Sequence, residues 1–320
     1  MPLPEKALTY WAWKERFPDD LACRRHVFKV RFGQNTVACP KCGPWARWRE
    51  GPNCRYALCI TCNARCSLKR MTLAENSKQP WCRWFELMWL VTMTRQGLSL
   101  SFVAAALGMQ TSSAMRMMHR LRAHMHAQCE AVRLGGKGRD VWMLTNRTGL
   151  SRGPGGKGRR KVTLMGLWDG TQIYSTIIPH RHRNFMRPVL YRVVRPGSTI
   201  VQVERDYLVA RHSKGCRIVG PDAPECFEPG ASYLASYWIN LIRSLRGTHI
   251  LLNQERVLDG IKEHEFRHQY RRHPARMFEV LISSFPDISG PPDQLKMGID
   301  YSMPASPMRR SGLQETDASL

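Results

Sequence analysis

Two cysteine pairs with the same internal spacing carry the most specific chemistry in this sequence. Cys39 and Cys42 enclose Pro40-Lys41 and precede Gly43. Cys59 and Cys62 enclose Ile60-Thr61, and sixteen residues lie between the pairs. Two thiolates so spaced can grip one ion while the chain turns around it, and four soft ligands suit tetrahedral zinc. No ligand position is left open for a reactive water, so the expected zinc is structural. Between the pairs, Trp45, Arg47, Trp48, Arg49, Tyr56 and Leu58 alternate in the manner of short strands, which makes residues 36–70 a zinc ribbon. Cys54 and Cys66 are spare thiols that could replace one ligand, and the alternative to a metal is two pairs of buried thiols. A module of this size depends on its metal to fold.

A second group of side chains could meet double-stranded DNA. Leu100 to Gln110 reads as a short helix with Val103 and Leu107 on one face, Ala104 at a close approach, Gly108 as the stop and Met109 plugging the turn. Thr111 could cap a second helix in which Ala114 and Met117 pack back. Ser112, Ser113, Arg116 and Arg120 would then be free to meet phosphates and base edges. The alternative is a plain helical hairpin supporting the ribbon. Further along, Arg147, Arg152, Lys157, Arg159, Arg160 and Lys161 fall in a glycine-rich stretch read as a loop, and no Asp or Glu occurs between Val141 and Trp168. Such a loop could follow a phosphate backbone, or simply be a solvated surface. Arg181 and Arg183 form another basic cluster with His180 and His182, and Arg271 and Arg272 a third.

These residues need a scaffold, and composition bounds it. The 320 residues include 49 Lys and Arg against 25 Asp and Glu, a formal net charge of +24, and 43% are hydrophobic. That is enough apolar material for one or two cores and excludes a disordered or fibrous chain. The charge points to an acidic partner, nucleic acid before an anionic membrane. Of the eleven cysteines, eight fall between Cys23 and Cys82. With no signal-peptide pattern at Met1 to Tyr10, and with its longest apolar run, Trp84 to Met93, interrupted by Glu86, the chain is expected in a reducing cytoplasm and not in a membrane. Residues 1–35 allow one or two short helices, with a cap or turn at Pro18-Asp19-Asp20. Residues 80–128 are helical, with Trp81, Trp84, Phe85, Met88 and Trp89 as core. Residues 138–285 alternate β-prone runs with turns before becoming helical, and 286–320 read as a loose, flexible tail.

In order, the ribbon, Lys78-Gln79-Pro80-Trp81 leading into Trp84-Phe85, and the helix-turn-helix resemble the N-terminal half of IS1595-like (ISXO2-like) bacterial transposases. Arg160-Lys161-Val162-Thr163-Leu164-Met165-Gly166 with Asp169-Gly170 continues the likeness. So do Arg195-Pro196-Gly197-Ser198-Thr199-Ile200, Trp238 with Arg243, Arg246-Gly247-Thr248-His249, and Glu265-Phe266. The resemblance spans roughly residues 36–275. It implies an α/β chain in which the ribbon and helix-turn-helix precede a ribonuclease-H-like (DDE transposase-like) domain, a mixed sheet with flanking helices. It also implies three carboxylates holding two Mg²⁺-like ions that cut and join DNA. At those positions this sequence has Leu144, Val203 and Ala235, all nonpolar, with Val203 and Ala235 read as core packing. The expectation is therefore a catalytically inactive, transposase-like DNA-binding protein of the bacterial cytoplasm and nucleoid. It would act as a transcriptional regulator or architectural factor and work as a homodimer or higher oligomer. Two other readings stay open: a working transposase with displaced acids at Glu204 or Asp206, and a scaffold that binds RNA or protein.

Overall fold

A computed structural model of the chain describes residues 8–33, 37–94, 97–152, 159–203, 212–213, 215–220, 229–248 and 254–285. Two short helices come first, α1 (Tyr10–Arg16) and α2 (Asp20–Phe32). Asp19 starts α2 by accepting a hydrogen bond on its carboxylate from the Ala22 N–H at 2.8 Å, as the Pro18-Asp19-Asp20 turn anticipates. Strands β1 (Trp48–Glu50), β2 (Tyr56–Cys59) and β3 (Arg65–Ser67) then form a three-stranded antiparallel sheet. Helices α3 (Trp81–Met93), α4 (Leu100–Ala106) and α5 (Thr111–Glu130) follow. Gly108 takes φ +57°, the left-handed turn that glycine adopts at no steric cost, between α4 and α5. Thr111 does not cap α5: Gln110 holds the cap position without a side-chain bond, and Thr111 is already helical.

The second half contains a six-stranded mixed sheet built from β4 (Asp140–Arg152), β5 (Arg159–Trp168), β6 (Ile173–Ile178), β7 (Thr199–Gln202), β8 (His212–Ser213) and β9 (Cys216–Val219), in spatial order β6-β5-β4-β7-β9-β8. Strands β4, β5 and β6 make an antiparallel meander, and β7 lies parallel to both β4 and β9. Helix α6 (Arg183–Val193) links β6 to β7 and covers one face, where Met186, Val189, Leu190 and Val193 meet Val141, Met143, Met165 and Leu167. Helices α7 (Pro229–Thr248) and α8 (Gln254–Gln269) cover the other, with Trp238, Leu241 and Ile261 against Val162, Leu164 and Ile177. All six residues of β6 are buried, as a strand covered on both faces requires. The protein is thus mixed α/β with two sheets. Among the described residues, no helix is long and apolar enough to cross a membrane.

The last helix among the described residues, α9 (Pro274–Ser283), departs from the division at residue 138. Its Met277, Phe278, Leu281 and Ile282 complete the N-terminal core with Phe17, Trp84 and Phe85 instead of packing on the large sheet. Helix α8 leads to it and carries buried charge on two edges. On one edge, Glu263 accepts from Arg122 of α5 at 2.7 Å and from Arg267 at 2.9 and 3.0 Å. Arg267 also donates to the carbonyls of Val91 (2.6 Å) and Thr94 (2.9 Å), closing the C-terminus of α3. On the other edge, Lys262 lies 3.2 Å from Glu265 and 3.3 Å from Glu130, with its ammonium 3.6 Å from the Tyr174 ring centroid. Removing the carboxylate that these two buried guanidiniums share takes an ion pair from each. Glu263→Ala is expected to cost about 3–5 kcal/mol in chemical denaturation, far more than an exposed charge such as Glu279→Ala.

Candidate metal centre and nucleic-acid interface

Each cysteine pair sits in a turn built to converge its thiols. Cys39 and Gly43 exchange backbone hydrogen bonds at 2.9 Å in both directions, and Gly43 turns the chain at φ +83°. The Asn63 N–H bonds to the Cys59 carbonyl at 2.9 Å, with Asn63 itself at φ +55°. All four ligand atoms lie within 4.8 Å of one another. The Cys39–Cys62 sulfurs are 3.6 Å apart and the Cys42–Cys59 sulfurs 3.9 Å. A tetrahedron with ~2.3 Å zinc–sulfur bonds has edges of about 3.8 Å, so these thiols are compatible with structural zinc. Hydrogen bonds from the backbone of Cys62 and Thr61 bring the Cys59 thiol down to about 6, favouring the thiolate that a metal needs. The spare thiols do not join the group. Cys54 and Cys66 are buried in the neighbouring core, and burial pushes Cys54 up to about 11 and raises Cys66 as well.

Helix α5 presents the four residues singled out for DNA unequally. Ser112 and Arg116 are exposed and Ser113 is half-buried. Arg120 is not free: its guanidinium donates to the carbonyls of Leu73 and Glu75, so it ties α5 to the segment after the ribbon. Ala114 and Met117 are buried as expected, and so is Met118.

The large sheet brings two of the three acid positions together. The Val203 N–H donates to the Met143 carbonyl at 3.1 Å, which sets Val203, just past the end of β7, beside Leu144, where the parallel pairing of β4 with β7 ends. Leu144 pairs with Gly166 and packs on the apolar layer formed by α7. That glycine is required, because a Cβ there would lie 2.6 Å from the Trp238 ring. The core-packing expectation for the other two positions is corrected: Val203 is half-buried, and Ala235 is exposed on the outer side of α7, away from inward-facing Leu234, Tyr237 and Trp238. Glu204, Asp206 and Lys157 lie outside the described residues. Among the described residues, the cysteine cluster is the one group of three or more Cys, His, Asp or Glu side chains with a metal-ligand spacing.

The two flanks of the stretch read as a basic loop, Arg147–Arg152 and Arg159–Lys161, form a β-ribbon, and 153–158 lie outside the described residues. Arg147 pairs with Thr163, Gly149 with Lys161, Ser151 with Arg160 and Arg152 with Arg159, with a register shift between Gly149 and Ser151. The ribbon extends past the pairing of β4 with β7 and of β5 with β6, and Arg147 and Lys161 are exposed on it. Strand β6 ends at Ile178 opposite Thr163, so Arg181 and Arg183, at the start of α6, emerge at this same end of the sheet. Arg181 is half-buried there. Arg271 and Arg272 are exposed but elsewhere. The Arg271 guanidinium lies 5.9 Å from the centroid of Tyr233, which stacks at 4.0 Å on Trp168. Trp168 is at the far end of β5, about 24 Å from Lys161 at roughly 3.4 Å per strand residue.

Sequence reasoning missed the polar interior between α5, β6 and α8. Glu265 accepts from both the Ser175 hydroxyl and its N–H at 2.6 Å, and Ser175 contacts the Tyr237 hydroxyl at 3.0 Å. Burial keeps His124 and His264 neutral down to about 4 and His268 down to about 3. No signal short of the three-dimensional contacts marks these residues as interior.

No protein-family model matches this sequence, and no protein of curated function matches it.

Two outcomes follow. Cys59→Ser is expected to abolish zinc binding, read by metal analysis, and to destabilise the N-terminal body by several kcal/mol, whereas Cys54→Ser leaves the zinc content intact. Buried His124 and half-buried His264 and His268 set an acid limit on stability. Their folded pKa values lie below the ordinary 6.5, so below that pH the unfolded chain takes up protons that the folded chain refuses. Through these three histidines the melting temperature should fall as the pH drops from 6.5 towards 4. His124→Gln should make that fall shallower.

Proposed function

We propose that this protein is a transposase-like DNA-binding protein whose ribonuclease-H-like domain holds DNA without cutting it. The observation that carries the reading is the composition of one sheet end. Leu144 and Val203 meet on adjacent parallel strands where the resemblance implies metal-binding carboxylates, and the basic ribbon bearing Arg147 and Lys161 rises from the same end. Open α/β sheets bind ligands at the C-terminal ends of their parallel strands, so an apolar floor beside cations suits phosphate binding without two-metal chemistry. The mixed sheet with helices on both faces supports the ribonuclease-H-like reading.

The three-stranded sheet with its four cysteines supports a zinc ribbon, and α4, the Gly108 turn and α5 support a helix-turn-helix in which Ser112, Ser113 and Arg116 face DNA. Sequence preference comes from that unit and affinity from the basic sheet end. The protein works in the bacterial cytoplasm as a regulator or architectural factor of the nucleoid. It acts as a dimer, since one helix-turn-helix reads only a short site.

Duplex binding measured across a salt series tests this. Lys161→Gln and Arg147→Gln are each expected to weaken binding to all duplex sequences and to lower the salt slope by about one. Arg116→Ala should weaken the preferred sequence more than random duplex. Unchanged affinity and slope in both ribbon variants would overturn the proposal.

A further inference from the structure

The outer face of the small sheet carries a pattern that the metal and the helix-turn-helix leave unused. Its inward residues Ala46, Trp48, Ala57, Cys59 and Cys66 are buried. Outward, β2 presents Tyr56 and Leu58 and continues into Ile60, which is 52% exposed. The register sets Arg49 of β1 opposite Leu58, and Leu58 opposite Arg65 of β3. The Ile60 N–H bonds to the carbonyl of Arg47 at 2.9 Å, so Arg47 flanks Ile60 in the same way. An apolar strip therefore runs along the middle strand with exposed arginines on both sides, and the Arg65 guanidinium lies 5.0 Å from the Tyr56 ring centroid. Two residues before Arg47, Trp45 is 84% exposed and stands at φ +67°, a backbone region that bulky side chains rarely adopt. Tyr56, Leu58, Ile60 and Trp45 are absent from the apolar side chains that pack on the N-terminal core.

Charge selects the occupant. Residues 36–70 contain seven Lys and Arg against a single acid, Glu50. Alongside exposed Ile60 the face carries an exposed indole, a half-buried phenol and exposed guanidiniums, and such planar groups stack on nucleobases while cations alongside hold the backbone. A duplex keeps its base faces inside its own stack. We propose that this sheet face binds unpaired bases of a DNA strand, with Trp45 as the stacking platform and Arg47, Arg49 and Arg65 along the phosphates. The choice of DNA rests on the function proposed above; the stacking face itself does not.

The test uses the full, zinc-loaded chain and a labelled oligo-dT of about 15 nucleotides, with a duplex of equal length and an oligo-rU as comparisons. Trp45→Ala is expected to weaken oligo-dT binding about tenfold, while Trp45→Phe stays within about threefold of the parent and both leave duplex affinity within about twofold. Unchanged zinc content and melting temperature show that each variant is folded. Arg47→Gln, on the flank of the strip, should weaken oligo-dT about threefold and lower its salt slope. Undiminished oligo-dT binding by both Trp45→Ala and Arg47→Gln overturns the proposal, as does an equal loss on duplex. Binding confined to oligo-rU overturns the assignment to DNA. Duplex binding that fails in the parent while oligo-dT binding persists counts against the earlier proposal and leaves this one standing.

Discussion

The structure depends on the charges buried along α8. Lys262 and Glu265 are directed at β6 and α5, and Glu263 and Arg267 at α3 and α5, so one helix is pinned to both halves of the chain. Buried ions are costly unless they are paired and hydrogen-bonded. Burial works against the charge on Lys262, but Glu265, Tyr174 and Glu130 outweigh it and hold the ammonium charged. Glu130 is kept ionised in turn: burial works against its charge, but the His126 hydrogen bond, Lys262 and Arg192 outweigh that. These pairs fix the rotation of α8 about its own axis. A rotation of one residue, about 100°, would carry the charges into apolar neighbours on either side.

That constraint positions what the protein exposes. Helix α5 is held along its inner edge by Arg122, His126 and Glu130, which leaves Ser112 and Arg116 near its start facing outward. Helix α8 also backs the sheet layer on which Leu144 rests. Among the described residues, the surfaces proposed to meet DNA are the start of α5, the basic end of the large sheet and the outer face of the small sheet. In the small sheet, alternation along the strands buries one set of residues and leaves arginines on the open face; the large sheet is covered on both faces and leaves cations at one end.

Features set by local spacing were legible in the sequence. The two Cys-x-x-Cys turns, the Asp19 cap, the Gly108 stop and the inward set Val103, Leu107, Ala114 and Met117 all depend on residues within a turn or two of one another. Features set by distant partners were not. Arg120 has the composition of a DNA contact, yet its guanidinium is taken by carbonyls some 45 residues earlier in the chain. Nothing in the sequence marks Lys262, Glu263, Glu265 and Arg267 as buried, because a charge pattern does not reveal whether its partners are protein or water. The return of α9 to the N-terminal core likewise needs Phe278 to meet Phe17, a contact that no local pattern encodes. The glycine-rich stretch was misread for a different reason. Its glycines suggested a loop, but Gly149 pairs with Lys161 and the strands continue to Arg152 and Arg159 past a one-residue register shift, while 153–158 lie outside the described residues.

The claim at the centre of this account is that the protein holds duplex DNA and does not cut it. The most direct measurement incubates the full chain with supercoiled plasmid and Mg²⁺ or Mn²⁺, then resolves the products with and without removal of protein. The account predicts retarded plasmid in the presence of protein and intact supercoiled plasmid after its removal. Nicked or linear product that requires the metal, and that disappears in Glu204→Gln or Asp206→Asn, would contradict it.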